Sequence, residues 1–291
     1  MILVTGATGT VGSEVVRQLV DKGIQFKAMV HDCGKAQLIE HPDVQIVQGS
    51  YDDLESLYSA MQNVDHLFLL APSGPQQVQW ENNLTDAAVR TGVQHIVKLS
   101  VLGASSFSRI SILRKHWLSE RYIENSGIPC TFIRPSWFMQ NLLRMASSVA
   151  SEGKLYSFIG DGRVSMIDAR DIAAAAVECL TEPGYQGRIF EITGPEALSY
   201  YDVAAKLSSA IDREVTCIIQ SPDTARQEMV DRGAPDWLID DYMEFGRFFA
   251  ENAAEVVTPF VAQLTGQAPI NFDKFASDYA PAFSVQRRMA A

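Results

Sequence analysis

Short apolar runs alternate with longer segments of one-sided hydrophobicity through the first 135 residues. Met1–Thr5, Phe26–Val30, Val44–Val47, His66–Leu70, His95–Leu99 and Cys130–Ile133 are continuous and often β-branched. Runs of that length and character predict strands buried on both faces. Between the first two, Val11–Lys22 carries Val11, Val15, Val16, Leu19 and Val20 at the spacing of a single helical face. Asp53–Met61, Gln76–Thr91 and Ile110–Asn125 repeat this behaviour. Strict alternation of strand and helix predicts a parallel sheet covered on both faces, the doubly wound α/β class.

Beyond Pro135 the alternation loosens. Strands are predicted at Ser165–Ile167, Arg188–Ile192 and Val215–Ile219, and helices at Asp171–Leu180 and Tyr200–Ile211. From Pro222 the pattern is mainly helical, and Tyr242–Phe249 is rich in Phe. No linker, repeat or low-complexity tract interrupts the chain. The expected organisation is an α/β domain over residues 1–150 and a smaller, mainly helical lobe over residues 151–291, packed over a shared cleft.

Composition narrows the class. The 291 residues are 47% hydrophobic and 20% charged, values of a globular chain that exclude disorder and collagen-like structure. No apolar run approaches the ~20 residues of a membrane-spanning helix. The strand pattern begins at Ile2, so neither a leader peptide nor a membrane partner is expected, and the expected location is the cytoplasm. The net charge is −11, and the acidic excess lies after residue 150. Nucleic acid needs a basic face and is therefore not an expected partner. A monomer or homodimer acting on a small molecule is expected. Cys33, Cys130, Cys179 and Cys217 are too widely spaced for a metal site and read as free thiols.

The strongest motif is TGATGTVG, Thr5–Gly12, lying between the first strand and the first helix. A dinucleotide pyrophosphate needs a tight turn, a backbone it can approach closely and a helix N-terminus aimed at its charge. Gly6, Gly9 and Gly12 suit those tasks, and the backbone of Thr8, Thr10 and Val11 supplies donors. The alternative reading of such glycines is an ordinary structural turn.

With that motif, VQGSYDDLESL (Val47–Leu57), HIVKLSVLGA (His95–Ala104), HWLSERYIENSGIPCTFIRPSWFMQN (His116–Asn141), SMIDARDIAAAA (Ser165–Ala176) and EITGPEALSYYDVA (Glu191–Ala204) make the chain resemble the NmrA-like group of atypical short-chain dehydrogenase/reductases. The resemblance is to its bacterial NAD(P)H-dependent quinone, azo-dye and triphenylmethane-dye reductases. It implies hydride transfer to a planar conjugated acceptor such as a quinone, dye or imine. NmrA-type redox sensors, which bind a dinucleotide without chemistry, supply the alternative function.

The resemblance also places site residues. His31 and Lys35 fall where the NADPH reductases carry Arg and Lys, which favours NADP(H) over NAD(H). Asp32, 20 residues after Gly12, stands at the distance of a ribose-binding carboxylate. Ser50 replaces a carboxylate that often holds the adenine. Ala71 and Pro72 match the loop beneath the cofactor, and Pro135 the segment beside the nicotinamide. Trp137, Phe138 and Asn141 are candidates for the acceptor, or else are buried packing residues. Arg170 and Asp171 read as anchors of the helix that follows. The Tyr-x-x-x-Lys pair of typical relatives is missing. His116 and Glu120 occupy its helix, four residues apart on one face, so Glu120 is expected to favour the imidazolium and make His116 a proton donor, or else the pair is a structural tether. Ser100 lies near the position of the typical catalytic Ser.

Overall fold

The computed structural model describes residues 1–284. β1 (Ile2–Val4), β2 (Phe26–Val30), β3 (Val44–Gln48), β4 (His66–Leu69), β5 (His95–Leu99) and β6 (Cys130–Pro135) alternate with α1 (Thr10–Asp21), a short 3₁₀ helix (Cys33–Leu38), α2 (Leu54–Ala60), α3 (Gln77–Thr91) and α4 (Ser111–Asn125). A second 3₁₀ helix (Met139–Met145), α5 (Ala146–Glu152) and β7 (Lys154–Ser157) follow. The chain continues as α6 (Ala169–Thr181), β8 (Arg188–Ile192), α7 (Tyr200–Ile211) and β9 (Thr216–Ile219). It ends in helices: α8 (Pro222–Asp231), α9 (Asp236–Ala250), α10 (Phe260–Thr265), α11 (Phe272–Asp278) and α12 (Ala280–Phe283).

These elements form two compact units. The first comprises Met1–Pro135, Ala169–Ile192 and Phe260–Gln267, and the second comprises Ser136–Asp168, Thr193–Pro259 and the segment from Ala268 onward. The units thus interleave along the chain, where the sequence pattern places one boundary at residue 150. The physical reason is packing: α6 lies on α1 and β8 pairs with β6, so both rejoin the first unit.

In the first unit seven strands, all parallel, run in the order β3-β2-β1-β4-β5-β6-β8. This is the doubly wound sheet expected from the pattern. Leu3, Leu67, Leu69, Ile96 and Phe132 pack with Leu57, Leu84, Ala88 and Ile123 of α2, α3 and α4 on one face. Side chains alternate across a strand, so the buried Val4, Phe68, Val97 and Ile133 face the other way, the side covered by α1 and α6. Full burial of each such side chain contributes roughly 1.5–3 kcal/mol. Asp53 starts α2 by accepting from the N–H groups of Glu55 and Ser56, and Gly92, in the left-handed region at φ 78°, ends α3. The strand order reverses beside β1, so the carboxyl ends of β1 and β4 flank the crevice where ligands of open α/β sheets bind.

The second unit packs a parallel pair, β7 with β9, against α5, α7, α11 and α12 around Leu155, Leu207, Phe272, Phe275 and Phe283. β7 has no counterpart in the sequence reading. The strand expected at Ser165–Ile167 is instead an irregular segment with two isolated bridges, Phe138 to Ile167 and Val164 to Leu198. Its Met166 carbonyl lies against bare backbone, for a Cβ on Gly194 would sit 1.9 Å from that oxygen, and no ladder forms. The Phe-rich segment is helix α9, with Phe245 and Phe249 packed on Trp137 at ring distances of 5.4 and 5.3 Å. Among the described residues no helix is long and apolar enough to cross a membrane.

Candidate functional site

The three glycines between β1 and α1 do three different jobs. Gly6 has φ +63°, a left-handed conformation that favours glycine, and a Cβ there would press on Leu70 Cγ at 2.9 Å. Gly12 is the packing position, since a Cβ would lie 2.0 Å from the Gly6 carbonyl oxygen. Gly9 has extended backbone and is exposed, and an added Cβ would meet only that same oxygen at 3.3 Å. Its outer side is therefore open to a ligand. α1 begins at Thr10 with no side-chain cap and no acidic residue in its first turn, leaving its first N–H groups to an anion. Thr8 and Thr10 lie at the surface of this turn, whereas the Val11 side chain is buried and only its backbone can serve a ligand. The turn fits a dinucleotide pyrophosphate on each count.

Tyr51 braces it. Its hydroxyl accepts from Gly6 N and donates to the Leu70 carbonyl, both at 3.2 Å, and burial pushes its phenol up to about 12. Sequence reasoning missed this residue. It stands 45 positions from Gly6, and only the placement of β3 beyond β2 brings the two together.

Parallel strands present their carboxyl ends along one edge, and the other candidates of the first unit gather there. His31 and Lys35 are exposed just past β2. Between them the Asp32 carboxylate accepts from Gly34 N at 2.8 Å and caps the 3₁₀ helix, so it serves the chain itself. Ser50 is half-buried past β3, its N–H held by Ser56 Oγ at 2.9 Å. Ala71 is buried and Pro72 exposed past β4. Pro135 ends β6, and its carbonyl accepts from Leu102 N at 2.9 Å.

The expected pairing of His116 with Glu120 does not form. Glu120, fully buried, accepts from Ser100 Oγ at 2.6 Å and from Arg134 Nε and Nη2 at 2.9 and 2.6 Å. Arg134 also reaches Glu191 at 3.3 Å. His116 instead faces Lys98 Nζ, 3.2 Å from its Nδ1, and the Gln77 amide, 3.1 Å from its Nε2. Lys98 can only donate, so Nδ1 accepts from it. The same ammonium donates to Glu81 at 2.8 Å and to the Leu99 carbonyl at 3.0 Å. Desolvation first, and then the positive charges of Lys98, Lys115 and Arg134, hold His116 well below the usual histidine value. The imidazolium donor is thus corrected to a neutral, buried ring. Spacing on α4 shows that His116 and Glu120 share a helix face, but it does not show the cations that β5 and β6 bring beneath that face.

In the second unit, Trp137 and Asn141 line a cavity of about 410 Å³. Phe138 does not line it. Its backbone bridges Ile167, and its carbonyl accepts from Asn141 N at 3.1 Å. Asp171 lies in the first turn of α6, and the Arg170 backbone carbonyl accepts from Gln18 Nε2 at 2.9 Å, tying α6 to α1.

Comparison with known proteins agrees with this geometry. The chain is 40% identical over 285 residues to an NAD(P)H azoreductase of Xenophilus azovorans, covering 97% of this chain and 99% of that protein. It is 31% identical over 243 residues to quinone oxidoreductase 2 of Escherichia coli K12, covering 82% and 85%. Among solved structures, an NADPH-dependent quinone oxidoreductase of Escherichia coli complexed with NADPH superposes with a TM-score of 0.88 at 28% identity, covering 96% of this chain and 99% of that one. The family model for the NmrA-like family matches residues 1–269, and the chain belongs to that family.

Proposed function

We propose that the protein is an NAD(P)H-dependent reductase that passes hydride to a planar conjugated acceptor: a quinone, an azo or triphenylmethane dye, or an imine. One observation carries this reading. An open dinucleotide cradle at Gly6, Gly9 and Gly12 occurs together with an α4 whose His116 is held neutral by burial and neighbouring cations and whose Glu120 accepts from Ser100, so neither serves as a proton donor. Reducing an isolated carbonyl creates a basic alkoxide and needs a positioned proton donor. A quinone, dye cation or iminium ion gives a delocalised or neutral product that solvent can protonate, or that needs no proton. The similarity to an azoreductase and a quinone oxidoreductase supports the same class of acceptor.

When bound, a reduced nicotinamide supplies the hydride. This chain supplies position. The N–H groups at the start of α1 and the turn at Gly9 hold the pyrophosphate. Ser50 offers its hydroxyl to the adenine. Ala71, Pro72 and Pro135 form the apolar rim at the sheet edge that receives the nicotinamide end. His31 and Lys35 take a 2′-phosphate, and the engagement of Asp32 in its own cap supports NADP(H) as the preferred cofactor. Trp137, with Asn141, holds the acceptor.

The test is NADPH and NADH oxidation with 1,4-naphthoquinone, an azo dye, a triphenylmethane dye, a cyclic imine and a simple aldehyde. Turnover of conjugated acceptors and not of the aldehyde is expected. Tight NADPH binding with no turnover of any acceptor would overturn the reading in favour of a redox sensor.

A further inference from the structure

The cavity of the second unit carries hydrogen-bond donors that the fold leaves unused. Tyr200, at the start of α7, and Tyr242, on α9, both line it, and neither hydroxyl has a hydrogen-bond partner among the described residues. Arg144 lines it too, with no carboxylate paired to it among the described residues. The indole Nε1 of Trp137 is buried without a partner. The two carboxylates of the cavity, in contrast, are engaged. Glu228 takes a hydrogen bond from Gln220 at 2.6 Å and pairs with Arg232 at 3.6 Å. Glu152 accepts from Tyr156 at 3.0 Å and pairs with Lys154 at 3.4 Å. A cavity with unused tyrosine, indole and guanidinium donors and paired carboxylates is complementary to a ligand that brings acceptor atoms of its own.

Its walls specify the rest of that ligand. Trp137 is fixed by Phe245 and Phe249, and the Phe158 ring lies 5.2 Å from that of Tyr242. Phe158 can take that place because residue 246 is glycine, where a Cβ would sit 1.9 Å from the ring. Flat aromatic walls and a volume of about 410 Å³ suit a ligand of two or three fused or linked rings.

We infer that this cavity binds the electron acceptor, and that Tyr242 Oη donates a hydrogen bond to the acceptor's carbonyl oxygen or azo nitrogen. The inference rests on the reductase reading and adds to it the residue that recognises the heteroatom. Burial raises the Tyr242 phenol above its ordinary value, against the lowering effect of Arg144 and Arg232, so the hydroxyl is protonated and donates at neutral pH. Arg144 provides a counter-charge for the electron density that reduction places on the heteroatom.

The experiment compares Tyr242→Phe with Tyr156→Phe, whose hydroxyl lines the same cavity but is spent on Glu152. Two quantities are read: the KM for 1,4-naphthoquinone at saturating NADPH, and its calorimetric Kd on protein saturated with NADP⁺, where no turnover occurs. Tyr242→Phe is expected to raise both about 3- to 10-fold, the range of one neutral hydrogen bond, and to leave the KM for NADPH unchanged. Tyr156→Phe is expected to change neither by more than about twofold. Values for Tyr242→Phe within twofold of wild type, or an equal loss in Tyr156→Phe, would overturn the inference while NADPH oxidation stands. Calorimetric binding lost selectively in Tyr242→Phe, by a wild type that oxidises no NADPH, would overturn the reductase reading and leave the binding site standing.

Discussion

Two regions of the first unit are built by opposite means. The turn from Thr5 to Gly12 is made by removing side chains: its glycines let backbone cross backbone, and the start of α1 is left uncapped. The cluster between β5, β6, α3 and α4 is made by burying charge. Lys98, Glu81 and Glu120 are removed from solvent and Arg134 is half-buried, Lys98 pairing with Glu81 and Arg134 with Glu120. A turn with open donors has binding left to do. A cluster whose ions neutralise each other holds the strand ends and has little left for a ligand. The difference teaches that two neighbouring sets of polar groups in one sheet can have separate roles, one binding and one scaffolding.

The largest expected effect breaks the scaffold. Glu120→Ala leaves the Arg134 guanidinium with Glu191 alone, and because loss of one partner from a fully buried pair costs about 3–5 kcal/mol, a loss of about 3 kcal/mol is expected. Chemical denaturation should show that loss, with the NADPH affinity of the folded protein within about twofold of wild type. Gly9→Val should do the reverse. A β-branched side chain on the open side of the turn should weaken NADPH binding at least ~100-fold, roughly 3 kcal/mol, with an unchanged denaturation midpoint. If Gly9→Val unfolds the protein, or Glu120→Ala abolishes binding in protein that remains folded, the separation fails.

Smaller effects sharpen it. Lys35→Ala should weaken NADPH by about 1–2 kcal/mol and leave NADH unaffected, and His31→Arg should tighten NADPH selectively, both read as a ratio of dissociation constants. Equal changes for the two cofactors would remove the 2′-phosphate site. His116→Ala should reduce quinone turnover less than about tenfold, well short of the 10²–10⁴-fold of a lost general acid. The wild-type pH profile should show no limb from this residue between about pH 6 and 8. The native pKa of His116 lies below its unfolded value of ~6.5. Its neutral ring therefore contributes stability that is present above that value and lost as pH falls below it. A thermal melt series in acid should show a shallower decline for His116→Gln.

Much of the first unit was legible in the sequence because its signals are local. Three glycines three residues apart after an apolar run state a backbone requirement directly, and β-α alternation states the sheet. The cluster was not legible, because its members come from two helices and two strands, and the four-residue spacing of His116 and Glu120 describes only one of them. Tyr51 and the Ser100–Glu120–Arg134 contacts are likewise products of strand order. The second unit was read least well. β7 is a four-residue strand, the segment at 165–167 forms bridges only, and the Phe periodicity of α9 predicts burial without revealing that Tyr242 lines a cavity.

Direct hydride transfer is tested most plainly with an acceptor whose new bond is to carbon, such as a triphenylmethane dye cation, since hydrogen on carbon does not exchange with water. Reduction with NADPH deuterated at the transferred position should give a colourless product retaining one deuterium by mass spectrometry, and the same reaction with unlabelled NADPH in D₂O should give none at that carbon. A product that takes its hydrogen from solvent, or a cation left unreduced by protein that binds NADPH, would contradict the account.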